Sequence, residues 1–393
     1  MRYFFLLIGL SFNITGFSQA IAAAPPVVVG AERLEQYLPL LRGKQVGLVV
    51  NHSSRVGSTH LADTLYNRGI CVARIYAPEH GFRGDAPDGE QIQDGTDMRT
   101  GASIVSLYGK KRRPDKEDLA GIDILVFDIQ DVGTRFYTYI STLFYLVDAC
   151  SEYQIPLLVL DRPNPNGHYV DGPMLDHRLR SFVGVAPLPI VHGCTVGELA
   201  QMFAGEHWAS PYALQLTVIP CAHYTHQTPY VLPVAPSPNL PNQRAVLLYP
   251  SLCLFEGTAA SIGRGTPWPF QVVGHPGFQD TAAFTFTPRP NTASRYPPQE
   301  GRTCRGYDFR SLSVDSLYRL ARIDLGPLLD FYCEFPQKDS FFLRNRYFDT
   351  LAGTYTLAKQ IEEGNFESDI RASWQSDLTI YKGIRQKYLL YPE

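Results

Sequence analysis

Short apolar runs alternate with segments of helical periodicity from Val46 onward, and this alternation predicts a parallel sheet. Continuous apolar runs are typical of strands that are buried on both faces and joined by crossover helices. The predicted strands are residues 46–50, 72–76, 122–127 and 156–160, and the predicted helices between them are residues 60–68, 114–120 and 139–153. The first half of the chain is therefore expected to be an α/β sandwich.

A proline-rich stretch separates this half from the rest of the chain. Six prolines between residues 228 and 250 argue against a helix or a central strand there and predict a domain connection or a surface strap. Beyond it, predicted helices at 311–321, 350–362 and 378–388 mix with a strand-like run near 282–287. We expect an α/β domain over residues 25–249 and a smaller α+β domain over residues 250–393.

The N-terminal residues have the pattern of a secretory signal peptide. Arg2 leads into an apolar run that Asn13 interrupts, and small residues follow up to Ala24. The run is shorter than the ~20 residues that span a bilayer, so we expect cleavage after residues 1–24 rather than an anchor. The sequence predicts an exported, periplasmic protein without stable membrane insertion.

Charge and cysteine content argue against several classes of protein and of structural site. The 393 residues carry 35 Lys and Arg against 38 Asp and Glu, so no global field attracts nucleic acid, and we expect no nucleic-acid partner. The seven cysteines are odd in number, widely spaced and without a CxxC pair. This favours buried free thiols over a disulfide framework or a structural zinc site. One bridge stays possible among Cys194, Cys221, Cys253, Cys304 and Cys333.

Every predicted strand ends in polar residues, at the edge where open parallel sheets bind ligands. Turn and helix-cap chemistry explains some of these residues. Four ends rich in carboxylate, imidazole and guanidinium groups nevertheless predict a functional site. The candidates at these ends are Asn51, His52, Glu79, His80, Asp128, Asp131, Arg135, Asp161, Arg162 and Asn164.

Carboxylates are the most plausible catalytic groups in this sequence. The chain has no GxGxxG, P-loop, GxSxG or HExxH motif, and we expect neither a cofactor nor a metal. Glu79 ends a predicted strand, and Glu90 lies on the Gly- and Asp-rich loop that follows. Two carboxylates in a cleft suffice for glycoside hydrolysis, although most Glu pairs are solvated surface. A metal site of His52, His80, Asp128 and Asp161 is an alternative that no spacing supports.

The second domain begins with a glycine-rich turn that contains Arg264. Backbone N–H groups of such a turn, together with a guanidinium, suit a carboxylate. A tight turn with a surface arginine is the alternative interpretation.

Seven segments, taken together in their order and spacing, are similar to one family. They are Asn51-His52, Pro78-Glu79-His80-Gly81-Phe82-Arg83-Gly84, residues 128–139 from Asp128 through Asp131 and Arg135 to Tyr137 and Tyr139, Asp161-Arg162-Pro163-Asn164-Pro165, His192-Gly193, Phe255-Glu256-Gly257-Thr258 and residues 388–391. These segments resemble the exo-acting β-N-acetylmuramidase family over nearly the whole chain from about residue 27.

The resemblance implies a Rossmann-like N-terminal domain without a nucleotide, a smaller C-terminal domain and a cleft between them. That cleft takes N-acetylmuramic acid from non-reducing ends of peptidoglycan fragments, so muramyl saccharides are the expected partner. The catalytic glutamate of the family's motif falls on Glu79. Our own inference adds Glu90, or the substrate's acetamido group, as the second catalytic group. The substrate-binding candidates are Asn51, His52, His80, Arg83, Asp128, Asp131, Arg135, Tyr137, Asp161, Arg162, Asn164, His192, Glu256 and Arg264.

The lactyl carboxylate that distinguishes N-acetylmuramic acid from N-acetylglucosamine requires a cation. Among Arg83, Arg135, Arg162 and Arg264, we expect Arg264 to bind it, because its turn adds backbone donors to a planar fork. Alternatively, Arg135 or Arg162 forms a structural ion pair with a neighbouring aspartate. A non-catalytic sugar-binding protein and a metal-dependent hydrolase of another bond are the competing functions.

Overall fold

The computed structural model describes residues 25–79, 81–82, 95–279 and 283–393. The predicted signal peptide lies outside these residues, as do His80, Arg83 and Glu90. The strands are β1 Gln45–Val50, β2 Arg55–Val56, β3 Thr59–His60, β4 Cys71–Ala77, β5 Gly95–Thr96, β6 Ser103–Ser106, β7 Ile124–Asp128, β8 Leu157–Leu160, β9 Asp171–Met174, β10 Pro189–Val191, β11 Leu216–Ile219, β12 Val272–His275, β13 Phe284–Phe286 and β14 Cys304–Asp308.

The α-helices of the described residues lie on the faces of the main sheet and in the C-terminal half. They are α1 Leu34–Leu41, α2 Leu61–Asn67, α3 Tyr139–Tyr153, α4 Val196–Gly205, α5 Gln243–Leu252, α6 Val314–Leu320, α7 Gly326–Glu334, α8 Tyr347–Ala352, α9 Thr356–Glu362, α10 Glu367–Ala372 and α11 Gln375–Arg385.

A seven-stranded sheet organises the N-terminal half of the described chain, in the order β11-β8-β7-β1-β4-β6-β5. All neighbours are parallel except β5, which runs antiparallel to β6. The four predicted strands are its central members β1, β4, β7 and β8, which confirms the parallel α/β architecture. Most of their side chains are apolar and buried because helices cover both faces of the sheet.

The strand order reverses direction at β1. From β1 the chain adds β4 and β6 on one side, and then returns to add β7, β8 and β11 on the other. A crevice opens at such a switch point, outside the carboxyl ends of the two strands that diverge there. The fold therefore places a ligand crevice beside the ends of β1, β4 and β7.

Two local predictions are wrong. Residues 114–120 form turns rather than a helix, because Asp115 and Asp118 each accept a hydrogen bond from the other's backbone N–H. The proline-rich stretch does contain a helix, α5, with Pro250 inside it. Pro250 donates no hydrogen bond to the Val246 carbonyl, which instead accepts one from Asn166 Nδ2 at 3.3 Å. The expected domain boundary after residue 249 falls within this helix.

The C-terminal half combines a three-stranded antiparallel sheet, β12-β14-β13, with short helices. This matches the predicted smaller α+β part. The predicted helix 350–362 is two helices, α8 and α9, because Gly353 ends α8 with a φ of 74°. All seven cysteines are described and are free thiols, with only Cys71 and Cys333 exposed. No helix among the described residues is long and apolar enough to cross a membrane.

Arg135 joins the two halves from inside the core. Its fully buried guanidinium donates to the carbonyls of Pro173 and Leu188 at 2.9 and 2.7 Å. It also donates to the carbonyls of Leu351 and Ala352 in α8 at 3.0 and 2.7 Å. Arg135 is therefore a structural link, in contrast to the substrate-binding role that the sequence predicted.

We expect Arg135→Met to destabilise the protein by about 3 kcal/mol or more, since each buried acceptor left without a donor costs ~1–3 kcal/mol. Denaturant unfolding measures this loss. The exposed Arg344 provides the control, and Arg344→Met should change stability by less than ~0.5 kcal/mol. Equal midpoints for the two variants would contradict the linking role.

Candidate active site

A polar cavity of about 420 Å³ opens between the sheet edge and the C-terminal half. Its size falls within the range of small-molecule sites. The described residues that line it are Glu79, Tyr108, Arg112, Phe136, Tyr137, Thr138, Tyr139, Phe182, Val183, Ser237, Asn239, Leu240, Tyr249, Glu256, Arg264, Phe270 and Tyr347. Four predicted site residues, Glu79, Tyr137, Glu256 and Arg264, thus surround one cavity.

Glu79 is half-buried and lies two residues beyond the end of β4. Thr138 Oγ1 donates a 2.8 Å hydrogen bond to Glu79 Oε2. Thr138 occupies the N-cap position of α3, yet its side chain does not cap the helix, because its hydroxyl is committed to Glu79. The carboxylate is thereby held at the positive end of a 15-residue helix.

Aromatic rings form the floor of the cavity. The rings of Tyr137 and Tyr139 meet edge to face at 5.0 Å, and the Tyr137 hydroxyl donates to the Pro236 carbonyl at 2.8 Å. Burial raises the pKa of the Tyr139 hydroxyl, and the nearby Glu79 carboxylate raises it further. Tyr139 is therefore a neutral phenol at physiological pH and can donate a hydrogen bond.

The opposite wall comes from the segment that follows α5. Glu256 lies in a 3₁₀ turn over Cys253–Gly257, and its Oε1 accepts a 2.7 Å hydrogen bond from Arg264 Nε. The Arg264 guanidinium also lies 5.2 Å from the centre of the Phe270 ring. Gly263 takes a φ of 78°, and a Cβ there would approach the Trp268 carbonyl oxygen to 2.6 Å. The predicted glycine-flanked turn is therefore present, but the Glu256 carboxylate already binds one edge of the Arg264 guanidinium.

Asp128 and Arg162 lie beneath the cavity rather than in it. Arg162 Nε and Nη2 bind the two Asp128 oxygens at 2.5 and 2.9 Å, and Nη2 also donates to the Arg55 carbonyl. The Arg162 side chain is 4% exposed and the Asp128 side chain is 0% exposed. In this buried bidentate pair, each charge is compensated by the other. The geometry therefore indicates that both residues stabilise the fold rather than bind substrate.

Asp161 and Asn164 hold loops together. Asp161 accepts hydrogen bonds from Thr195 Oγ1 at 2.7 Å and from the Gly197 N–H at 2.8 Å. Burial raises the pKa of Asp161 to about 6. Asn164 Nδ2 donates to the Cys194 carbonyl at 2.8 Å. Neither residue lines the cavity, which does not support their predicted substrate contacts.

Asp131 and His192 are also buried away from the lining. Asp131 Oδ2 accepts from the Gly133 N–H at 2.7 Å, and His192 Nε2 lies 3.7 Å from the same oxygen. Near the end of β1, His52 Nε2 lies 2.8 Å from the Ala235 carbonyl oxygen. Asn51 is fully buried and does not line the cavity.

The structure does not test every candidate. Glu90, His80 and Arg83 are outside the described residues and stay predictions. Of the alternative metal set, Asp128 is bound to Arg162 and Asp161 to hydroxyl and amide donors. The described residues contain no group of three or more His, Cys, Asp or Glu side chains arranged to hold a metal ion.

Sequence reasoning missed several lining residues. Thr138 and Tyr139 belong to a segment that carried the family resemblance, but nothing in the sequence showed that they face Glu79. Arg112 stands in a basic run, residues 110–113, which is typical of a solvated surface. Its guanidinium lies 4.3 Å from the centre of the Phe182 ring, a partner 70 positions away that the sequence does not reveal.

Comparison with known proteins places the chain among peptidoglycan hydrolases. Models of the exo-β-N-acetylmuramidase NamZ match residues 46–244 with the N-terminal domain and residues 247–391 with the C-terminal domain. The peptidoglycan β-N-acetylmuramidase NamZ of Bacillus subtilis (strain 168) is 37% identical over 397 residues, covering 94% of this chain and 92% of the relative.

Two solved structures from Bacteroides fragilis, both of DUF1343 family proteins, share the fold. One superposes with a TM-score of 0.87 at 45% identity and covers 94% of this chain and 100% of that chain. The other has a TM-score of 0.77 at 28% identity, with 93% and 100% coverage. The two-part architecture therefore belongs to a recurring fold.

We expect Asp128→Asn to destabilise the protein by about 3–5 kcal/mol, because it leaves the buried Arg162 guanidinium without a compensating charge. Chemical denaturation measures the loss. Asp315→Asn breaks the exposed pair of Asp315 with Arg319 and should cost less than ~1 kcal/mol. A similar cost for both variants would show that the Asp128 pair contributes no more than a surface pair.

Proposed function

This chain belongs to the exo-β-N-acetylmuramidase NamZ family, and from that membership and the cavity geometry we propose how it acts. It hydrolyses peptidoglycan fragments and releases N-acetylmuramic acid from their non-reducing ends. The N-terminal residues 1–24 support export, and the periplasm is the compartment in which such fragments would meet the enzyme. The single observation that carries the mechanism is the Glu79 carboxyl group at the cavity, held by Thr138.

Glu79 acts as the general acid. Cleavage of the glycosidic bond leaves negative charge on the departing oxygen, and a proton from Glu79 neutralises that oxygen as the carbon–oxygen bond breaks. Thr138 binds one carboxyl oxygen at 2.8 Å, so the other oxygen is the one that meets the substrate. Water then adds to the anomeric carbon and completes hydrolysis.

The second catalytic group stands on the far side of the anomeric carbon. Glu90 and the substrate's acetamido group are the two routes that the sequence suggests. Among the described residues, Glu256 is the other carboxylate that lines the cavity. Because Arg264 binds its Oε1 at 2.7 Å, we assign Glu256 to shaping the site and keep Glu90 as the candidate base or nucleophile.

The lactyl carboxylate of the substrate meets Arg112 rather than Arg264. Arg264 already pairs with Glu256, which compensates its charge. Within the described residues, Arg112 stacks on Phe182 at the cavity wall and pairs with no carboxylate there. An uncompensated guanidinium attracts an anionic group more strongly than a paired one, and its planar fork suits a carboxylate.

Glu79→Gln should lower muramidase turnover by at least ~100-fold, because an amide cannot donate the proton and general acid catalysis contributes ~10²–10⁴-fold. Hydrolysis of p-nitrophenyl N-acetylmuraminide measures it. Glu117→Gln, at an exposed site, is the matched control and should keep the wild-type rate. Retention of more than about a tenth of the wild-type turnover by Glu79→Gln would remove Glu79 from the acid role.

The same assay separates the competing functions. A sugar-binding protein without catalytic activity would bind N-acetylmuramic acid and show no turnover in the wild type. A metal-dependent hydrolase would lose activity with a chelator, whereas the proposed carboxylate enzyme keeps it.

Arg112→Ala should weaken binding of N-acetylmuramic acid about tenfold, equivalent to ~1.4 kcal/mol, since solvent partly screens the exposed charge. Binding of N-acetylglucosamine, which has no carboxylate, should change less than about twofold. Titration calorimetry measures both affinities. Arg264→Ala leaves Glu256 unpaired and should affect the two sugars alike. If instead Arg264→Ala selectively weakens the muramic sugar, Arg264 binds the carboxylate.

A further inference from the structure

Two buried polar groups behind Glu79 lack hydrogen-bond partners. Within the described residues, the Tyr139 hydroxyl and the Asn51 side-chain N–H₂ group have none, although the residues are 2% and 0% exposed. Buried donors are nearly always satisfied in folded proteins, because leaving one without an acceptor costs free energy. Tyr139 lines the cavity, so its hydroxyl is the donor that an acceptor from outside the chain can reach.

The two donors lie at the ligand crevice of the sheet. Asn51 directly follows β1 and Tyr139 begins α3 after β7, so they flank the switch point between these strands. Tyr139 lines the cavity together with Glu79 and Thr138. The Asn51 amide and the Tyr139 hydroxyl are close enough for the amide to lower the pKa of the phenol. The unused donors therefore sit beside the general acid.

Hydrogen bonds fix the direction of the Asn51 amide. Its Oδ1 accepts from the Ser53 N–H at 2.9 Å and from Ser53 Oγ at 2.6 Å. Since both bonds require an oxygen at that position, the nitrogen is on the other side of the amide. The Asn51 carbonyl in turn lies 2.8 Å from His60 Nε2. Asn51 is thus held rigidly with its donor turned away from its own turn.

Tyr139 is equally restrained and is a donor. Its ring packs edge to face on Tyr137 at 5.0 Å, and Tyr137 is itself anchored on Pro236. Burial and the Glu79 carboxylate both raise the pKa of the Tyr139 hydroxyl, so it keeps its proton. A fixed neutral donor beside the general acid suits an uncharged acceptor such as an amide carbonyl.

We propose that Tyr139 Oη donates a hydrogen bond to the carbonyl oxygen of the substrate's 2-acetamido group. This inference rests on the proposed function, because it takes an N-acetylated sugar as the ligand. The acetamido group is bonded to the carbon next to the anomeric carbon, so binding its carbonyl sets the distance from Glu79 to the scissile bond. Tyr139 is then a specificity-determining residue for N-acetylated sugars.

The decisive variant is Tyr139→Phe, tested by calorimetric binding of two ligands. One is N-acetylmuramic acid, and the other is 3-O-(1-carboxyethyl)glucose, which has a hydroxyl in place of the acetamido group. Tyr139→Phe should weaken the first about 5- to 20-fold and the second less than about twofold, since only the first offers the carbonyl.

Stability gives an independent readout with Tyr137→Phe as the matched control. Tyr139→Phe removes a hydroxyl without a partner, so the melting temperature should stay the same or rise. Tyr137→Phe removes the hydroxyl bonded to Pro236, so its melting temperature should fall. A fall for Tyr139→Phe would show that its hydroxyl has a structural partner and would overturn the inference.

The remaining outcomes are also decisive. An equal loss for both ligands would assign Tyr139 to the shared sugar ring, and no loss would show that water alone satisfies the hydroxyl; either result overturns the inference. Turnover of the wild-type enzyme reports on the proposed function separately. An active wild type with unchanged Tyr139→Phe binding refutes only the acetamido contact, whereas an inactive wild type that binds N-acetylmuramic acid selectively through Tyr139 refutes only catalysis.

Discussion

The buried guanidinium of Arg135 is the interaction on which the site depends. Arg135 belongs to the loop between β7 and α3, three residues before Thr138 and four before Tyr139. Its donors reach carbonyls in β9, in the residue before β10 and in α8, and its own N–H bonds the Ile190 carbonyl at 2.8 Å. The loop that carries the cavity residues Phe136, Tyr137 and Thr138 is therefore fixed to both halves of the protein. Gly353 makes room for this contact, since a Cβ there would approach Arg135 Nη2 to 2.3 Å.

The cavity combines a polar sheet edge with an aromatic and charged wall. The sheet contributes Glu79, whose position follows from the end of β4 and from a threonine that binds it instead of capping α3. The C-terminal half contributes the Glu256–Arg264 pair over Phe270. In the proposed mechanism, one wall supplies the proton while the other shapes the space for the sugar. Neither half forms this cavity alone.

The sequence predicted the parts of the fold that depend on local pattern. Continuous apolar runs identified β1, β4, β7 and β8, because a strand buried on both faces has no polar positions. Strand β6, which lies between β4 and β5 and has all four residues half-buried, gave no such signal. The break between α8 and α9 depends on the backbone conformation of Gly353, and the helix at Pro250 depends on Asn166, which is far away in sequence.

For the site, sequence reasoning identified residue types correctly but not the direction in which they point. Polar residues at strand ends can face a crevice or turn inward, and both occur here: Glu79 lines the cavity, whereas Asp128 turns under it to bind Arg162. Only the three-dimensional structure distinguishes these cases. The same holds for Arg112, whose sequence context is typical of a solvated cation. It also holds for Tyr139, because the sequence does not show that its hydroxyl has no hydrogen-bond partner among the described residues.

The contact between Arg135 and α8 also has a kinetic consequence. The guanidinium and the Ala352 carbonyl are separated by 217 residues in the chain. Contacts at such long sequence separation close large loops, and proteins that rely on them fold slowly. We expect the sheet to assemble first from its shorter-range strand pairs and the two walls to come together late. During biosynthesis Glu79 therefore has no opposite wall until most of the chain is made, so enzymatic activity is the last property that the nascent protein acquires.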